Sequence, residues 1–405
     1  MTRNSTTDTT GRTVDLRQFY IARTLYVFTE QLIGISIPII IYRDTNDAAL
    51  AALSFFAIWA PRCLFPFVAA RLIDATKPRV QMQAVDAVRI ATLLVIAVLP
   101  IGAWLLIGAG LLSLLNLWAI ALFEKGLNAV SPASGDAQND SAVATFSAAL
   151  RADRVALTIS ALISGTLIAF GSEVLLIVGA AFVLMAAHVL QARSNLLWGL
   201  SPVRAEPAGL RKIAFDVFAN TTLRQLIYLL WALNLLQGIV FGALPVLMET
   251  TFQKDPAGAA ALFAGIHIGS WVLLWAYPSV ARRFSRPTRA TWAMALSALG
   301  LAAAFLTSNV AVFATAVCLA LSVRNILDVE TIIVRNREID SANFGQVMTV
   351  FLPLIYAPFA IAGLLVTWLF QLGGPSMLAP GIIAGALLSF MLWCFVLRQA
   401  FELQE

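Results

Sequence analysis

The chain has 405 residues, of which 60% are hydrophobic and 12% charged, with a formal net charge of +5. An ordinary soluble domain carries about a quarter charged residues, so this composition is that of a chain solvated by lipid. Its Arg and Lys residues sit in short clusters between apolar segments and not along one face, a topological pattern that argues against nucleic acid as a partner.

Residues 1–18 are polar and Thr-rich, without the apolar core of a signal peptide, and are expected to form a cytoplasmic tail. Apolar segments then follow at 19–42, 48–73, 80–100, 109–130, 143–170, 174–191, 226–248, 258–280, 290–306, 310–334, 344–370 and 377–397. A span needs about 20 apolar residues to cross about 30 Å of hydrocarbon, so about twelve spans use nearly the whole chain. Kinks are expected at Pro38, Pro61, Pro66, Pro245, Pro353 and Pro358.

Arg71, Lys77 and Arg79 follow the second span. Arg193, Arg204, Arg211 and Lys212 lie in the central loop, and Arg282, Arg283, Arg286 and Arg289 follow the eighth span. The loops between these hold one basic residue or none, which places both termini in the cytoplasm. Pro38 and Pro245 stand 207 residues apart, as do Arg79 and Arg286, and later in the chain Glu124 and Asn128 fall opposite Arg324 and Asp328 at an offset of about 200. The expected fold class is therefore an all-α membrane protein of about twelve helices in two six-helix halves, at 19–192 and 225–398. A linker at 193–224 would join them, and 399–405 would be a cytoplasmic tail. Within the linker Leu210, Ile213, Val217 and Phe218 recur at helical spacing, so it is either a helix lying on the membrane or a plain tether.

A charge inside a bilayer costs several kcal/mol unless it faces a cavity or a partner. Glu30 lies about eleven residues, or roughly 16 Å, into the first span. Arg23, Tyr26, Glu30 and Gly34 share one face, and Asn234, Gln237 and Phe241 form the matching stripe of the seventh span. Arg324 and Asp328 are spaced for an ion pair within the tenth span, whereas Glu330 faces elsewhere and reads as structural. Glu124 and Lys125 belong either to a chamber or to the cytoplasmic interface, and Arg62 reads as a stabiliser of a helix contact. Cys63, Cys318 and Cys394 are isolated in apolar runs and read as packing residues. Neither His188 nor His267 has a ligand at metal-binding spacing on its helix. No metal site, cofactor or enzymatic motif is expected.

The two-times-six pattern resembles the major facilitator superfamily over essentially the full chain. Ala70-Arg71-Leu72-Ile73-Asp74-Ala75-Thr76-Lys77-Pro78-Arg79 keeps the family's aspartate and final arginine and replaces the leading glycine by alanine. The resemblance implies an inner gate of Asp74, Lys77, Arg79, Asp86 and Arg89, and a chamber lined by the first, fourth, seventh and tenth helices. Ala60-Pro61-Arg62-Cys63-Leu64-Phe65-Pro66-Phe67, Asp86 with Arg89, Arg154 and Leu223-Arg224 look like the enterobactin-exporter branch. The fifth-span antiporter signature keeps only Gly165 of the stretch from Ser160.

These readings imply a monomeric, proton-coupled exporter of a small organic molecule, such as a siderophore or drug-like compound, in a bacterial inner membrane. Its proton-coupling candidates are Glu30, Asp328 and Glu124. Its cavity candidates are Arg23, Tyr26, Gly34, Asn234, Gln237, Phe241 and Arg324. The alternatives are proton-driven uptake of a ferric siderophore or another solute, ferroportin-like iron export, and a membrane sensor that transports nothing.

Overall fold

The computed structural model describes residues 5–7, 13–69, 72–73, 76–99, 103–130, 136–194, 209–254, 256–339 and 343–397. A short antiparallel pair, Ser5–Thr7 with Thr13–Asp15, precedes the first span, Leu16–Thr45. The second runs as Ala48–Trp59, a 3-10 segment Ala60–Leu64, and Phe65–Ala69. Spans three to six are Pro78–Val98, Ala103–Val130, Asp136–Ala169 and Glu173–Ser194. A short helix, Leu210–Ala219, leads into the seventh span, Thr221–Thr250. Pro256–Ala281, Arg286–Phe305, Val310–Glu338, Phe344–Gly373 and Leu378–Leu392 complete the set.

Among the described residues, 11 of these helices are long and apolar enough to cross a membrane. The remaining helix of the twelve, the ninth, has 20 residues and opens on Arg286 and Arg289. Large apolar side chains cover the exterior, with Phe67, Phe170 and Phe182 more than half exposed, as suits a surface covered by lipid.

Local chemistry sets the ends and breaks of the helices. Asp47, Asn220 and Asn309 each stand at an N-cap and accept from the first free backbone N–H groups of the second, seventh and tenth spans, which satisfies donors that the helix itself cannot. Pro61 lacks an N–H and falls in the 3-10 segment of the second span. Pro38, Pro245, Pro353 and Pro358 are carried inside continuous helices.

In the first half, the first span packs on the fifth and sixth, and the third on the sixth. The second half mirrors this, with the seventh on the eleventh and twelfth and the ninth on the twelfth, while the tenth packs on the eighth and ninth. The halves meet along two seams, second span to eleventh and fifth to eighth. In the first seam Trp59 stacks on Phe359 at 4.4 Å between ring centroids. Gly363 there lets the backbones close, since a Cβ on it would lie 2.6 Å from the Phe56 nitrogen.

The helix Leu210–Ala219 rests on the seventh and eleventh spans, burying Ile213 and Val217 and exposing Phe215 and Phe218. An amphipathic helix thus forms where either that or a tether was expected. Residues 195–208 of the expected linker lie outside the described residues. Cys63 and Cys394 are exposed on the apolar exterior and not packed as expected, while Cys318 is partly buried.

Candidate functional site

Between the halves lies a cavity of about 320 Å³, within the size range of pockets for small ligands. Its wall carries five arginines (Arg23, Arg62, Arg154, Arg324 and Arg335) and four carboxylates (Glu30, Glu124, Asp153 and Asp328). Such charges persist in a low-dielectric interior only when paired or wetted.

Arg23 of the first span donates to Asp153 of the fifth through Nη2 at 3.0 Å and Nε at 3.1 Å, and to Glu124 of the fourth at 3.3 Å. The other oxygen of Glu124 accepts from Arg335 of the tenth span at 2.8 Å. A chain of four charges thus crosses from one half to the other, near the membrane face at which the first span begins.

Nearer the middle, Arg62 pairs with Glu30 and donates from Nε to Ser113 at 2.7 Å. Its guanidinium lies 4.0 Å from the centre of the Trp59 ring and 5.3 Å from that of Tyr356, in cation–π geometry. Opposite, Arg324 donates to Gln237 and Asn234 of the seventh span, and Asn234 in turn donates to the Ile355 carbonyl at 2.6 Å. Asp328 stands 3.5 Å from Arg324 and 3.6 Å from Arg154 of the fifth span. Among the described residues, five buried polar atoms of this wall have no hydrogen-bond partner: Asn116 Oδ1, Arg154 Nε, Arg324 Nε and both ring nitrogens of His267.

Of the expected coupling residues, Glu30, Asp328 and Glu124 all line the cavity, as do Arg23, Gly34, Asn234, Gln237, Phe241 and Arg324. Tyr26 does not. It is buried against Phe123, and its hydroxyl donates to Asp86. Lys125 turns away from Glu124 and donates to the Ile73 carbonyl at 3.4 Å. Arg62, expected to stabilise a helix contact, does so through Ser113 while also facing the cavity.

The inner gate that the resemblance implies falls only partly on the described residues. Asp74 lies outside the described residues, and Lys77 and Arg79 are exposed. Asp86 and Arg89 are buried within the first half, where Asp86 lies 3.4 Å from Arg89 and 2.6 Å from Nδ1 of His188. The second half has its own buried group: Glu330 accepts from Tyr277, from Arg286 at 3.0 Å and from Arg289 at 2.5 Å. Glu330 has the structural position its helical face implied. Among the described residues, no three His, Cys, Asp or Glu side chains are grouped to hold a metal ion.

Comparison with protein families and with curated protein sequences returns no match. Solved structures do match. A bacterial homologue of the iron transporter ferroportin, in an outward-facing state, aligns with a TM-score of 0.71 over 93% of this chain and 98% of its own, at 14% identity. The same description with soaked iron applies to a second structure, with a TM-score of 0.68, 94% and 99% coverage and 14% identity. This is the major facilitator fold. At such identity the likeness concerns the fold alone. Within it the chamber has walls from the second, fifth, eighth and eleventh helices as well as from the first, fourth, seventh and tenth.

Asp153, Arg335, His267, Asn116, Trp59 and Tyr356 are cavity residues that the sequence did not single out, and Arg154 was marked only through a family resemblance. Asp153 and Arg154 carried a usable signal, two adjacent charges inside an apolar segment. Arg335 falls one residue beyond the expected end of the tenth span and so reads as a loop residue.

Proposed function

We propose that the chain is a secondary transporter that moves a small organic solute across the membrane by alternating exposure of the central cavity. The observation that carries this reading is the cavity's position: a charged chamber between two six-helix halves, bridged by Glu124 and Arg335. Rocking of the halves about a fixed site is the general transport cycle of such repeats. Export in exchange for protons follows from the resemblance to the enterobactin-exporter branch, with Glu30 as the first coupling candidate and Asp328 and Glu124 after it. A siderophore or drug-like compound is the cargo this favours.

Iron transport is the second reading, favoured by the likeness to ferroportin homologues. Hard cations bind oxygen ligands, chiefly carboxylates. Here the cavity's carboxylates are each engaged by an arginine, which favours the organic solute.

Purified protein in proteoliposomes under an imposed pH gradient tests both readings. Counterflow of organic solutes taken from an extract of iron-starved cells is expected. Flux of ferrous or ferric ion without organic counterflow would replace the first reading by the second, and no flux of either would remove the transporter reading.

A further inference from the structure

The cavity's ion pairs fall into two kinds. Arg23 with Asp153 and Arg335 with Glu124 are close, at 3.0 and 2.8 Å, within or near the charge-assisted hydrogen-bond range of about 2.7–2.9 Å. Asp328 is held differently. It stands between two guanidiniums at 3.5 and 3.6 Å, near enough to balance their charge but too far for such bonds.

Arg324 is fixed in place by other means, through Gln237 and Asn234, so its orientation does not depend on Asp328. Both arginines keep a buried Nε without a hydrogen-bond partner. His267 is 3% exposed and lines the same cavity with both ring nitrogens unpartnered. Buried polar atoms are nearly always satisfied, and leaving one bare costs about 1–3 kcal/mol in general. Unpartnered donors on two arginines that flank one loosely held carboxylate, with an unpartnered histidine lining the same chamber, form a constellation suited to an acidic oxygen ligand.

We infer that Arg154, Arg324 and His267 bind the carboxylate of an organic anion, and that Asp328 is the internal anion with which the solute competes. This inference rests on the transporter reading and names its substrate class. Arg154 belongs to the first half and Arg324 and His267 to the second. A bound carboxylate would therefore tie the halves together through charge-assisted bonds that Asp328 does not make.

The test uses the full chain in lipid nanodiscs, with thermal unfolding followed against benzoate, phthalate and benzene-1,3,5-tricarboxylate and against the corresponding carboxamides. Saturable stabilisation by carboxylates and not by carboxamides is expected. In Arg324→Gln and in Arg154→Gln the apparent affinity should fall at least about tenfold, the loss of one charge-assisted bond. In Asp328→Asn it should rise, because the competing anion is gone. This variant keeps the inference testable if an arginine variant does not fold.

Equal stabilisation by carboxamides, no stabilisation by any probe, or weaker binding in Asp328→Asn would each overturn the anion site. Counterflow in proteoliposomes separates the two ideas. Binding without flux of any probe leaves the anion site standing and removes the transporter reading. Flux of carboxamides with no carboxylate binding does the reverse.

Discussion

Glu124 of the fourth span and Arg335 of the tenth meet at 2.8 Å across the interface between the halves, both almost fully buried. Removing one partner of a buried pair leaves the other uncompensated, at a cost of about 3–5 kcal/mol. Arg335→Gln is therefore expected to lower the unfolding temperature and loosen the face at which the first span begins, with Arg335→Lys intermediate. Thiol labelling of Asn116→Cys, in a background without the three native cysteines, reads the second effect. Labelling from that face should speed up in Arg335→Gln, and an unchanged rate would show that the pair does not hold that face closed.

Glu30 faces Arg62 near mid-membrane, and the pair joins the first and second spans. Glu30→Gln keeps shape and polarity but cannot carry a proton, so the variant should bind solute and lose flux driven by a pH gradient. Glu30→Asp should retain part of it. Undiminished flux in Glu30→Gln would move the coupling role to Asp328, and then to Glu124.

Two glycines predict opposite outcomes. A Cβ on Gly363 would strike the backbone of Phe56, whereas one on Gly34 meets nothing within 4 Å. Gly363→Ala should destabilise by about 1–3 kcal/mol through overpacking, while Gly34→Ala should be silent in unfolding. Gly34→Trp would project a large ring into the chamber and should block transport without lowering the unfolding temperature. If Gly34→Trp unfolds early instead, Gly34 does not face open space.

Glu330 is completely buried and accepts from Tyr277, Arg286 and Arg289. Glu330→Gln should cost as much stability as any single charge removal in the chain, about 3 kcal/mol or more. Solute affinity should be unchanged in the protein that does fold, as measured in nanodiscs at low temperature. A loss of affinity at full stability would show that Glu330 acts on the cavity.

Orientation is tested by reporter fusions active only outside the cytoplasm. Fusions near Lys77, Arg211 and Arg283 should be silent, and those near Asp44 and Lys254 active. The reverse pattern would invert the topology.

The spans were legible because a bilayer demands long apolar runs, and charge inside such a run marks either a chamber or a buried pair. Glu30, Asp328 and Arg324 were found in this way. Tyr26 behaves differently. It shares a helical face with Arg23 and Glu30, yet its hydroxyl is drawn to Asp86, a tertiary contact that spacing along one helix cannot reveal. His267 has no ligand at metal-binding spacing on its own helix, and its place in the chamber comes from neighbouring helices, which periodicity along one helix does not describe. The inner gate rests on family resemblance alone, and Asp74, its anchor, lies outside the described residues. Asp86 and Arg89 turn into the first half, where Tyr26 and His188 bond Asp86 and the Arg89 guanidinium lies 5.0 Å from the centre of the Tyr26 ring.

The five residues Ala60–Leu64 of the second span wind as a 3-10 helix. Each turns by about 120° and not the 100° of an α-helix, so the segment advances the helix by roughly 100° in angular phase. The part before it presents Phe55 and Trp59 to Phe359 of the other half, and the part after it presents Phe65 to Trp118 of its own half. Residues three apart eclipse in such a segment, so Trp59, Arg62 and Phe65 fall along one line of the rod, and Arg62 lies against the Trp59 ring, 4.0 Å from its centre, while lining the chamber. A helical wheel drawn unbroken through Pro61 would set Phe65 about 120° away from Trp59 and miss this alignment. By the same arithmetic, deleting one residue there would swing the Phe65 face by about a third of a turn.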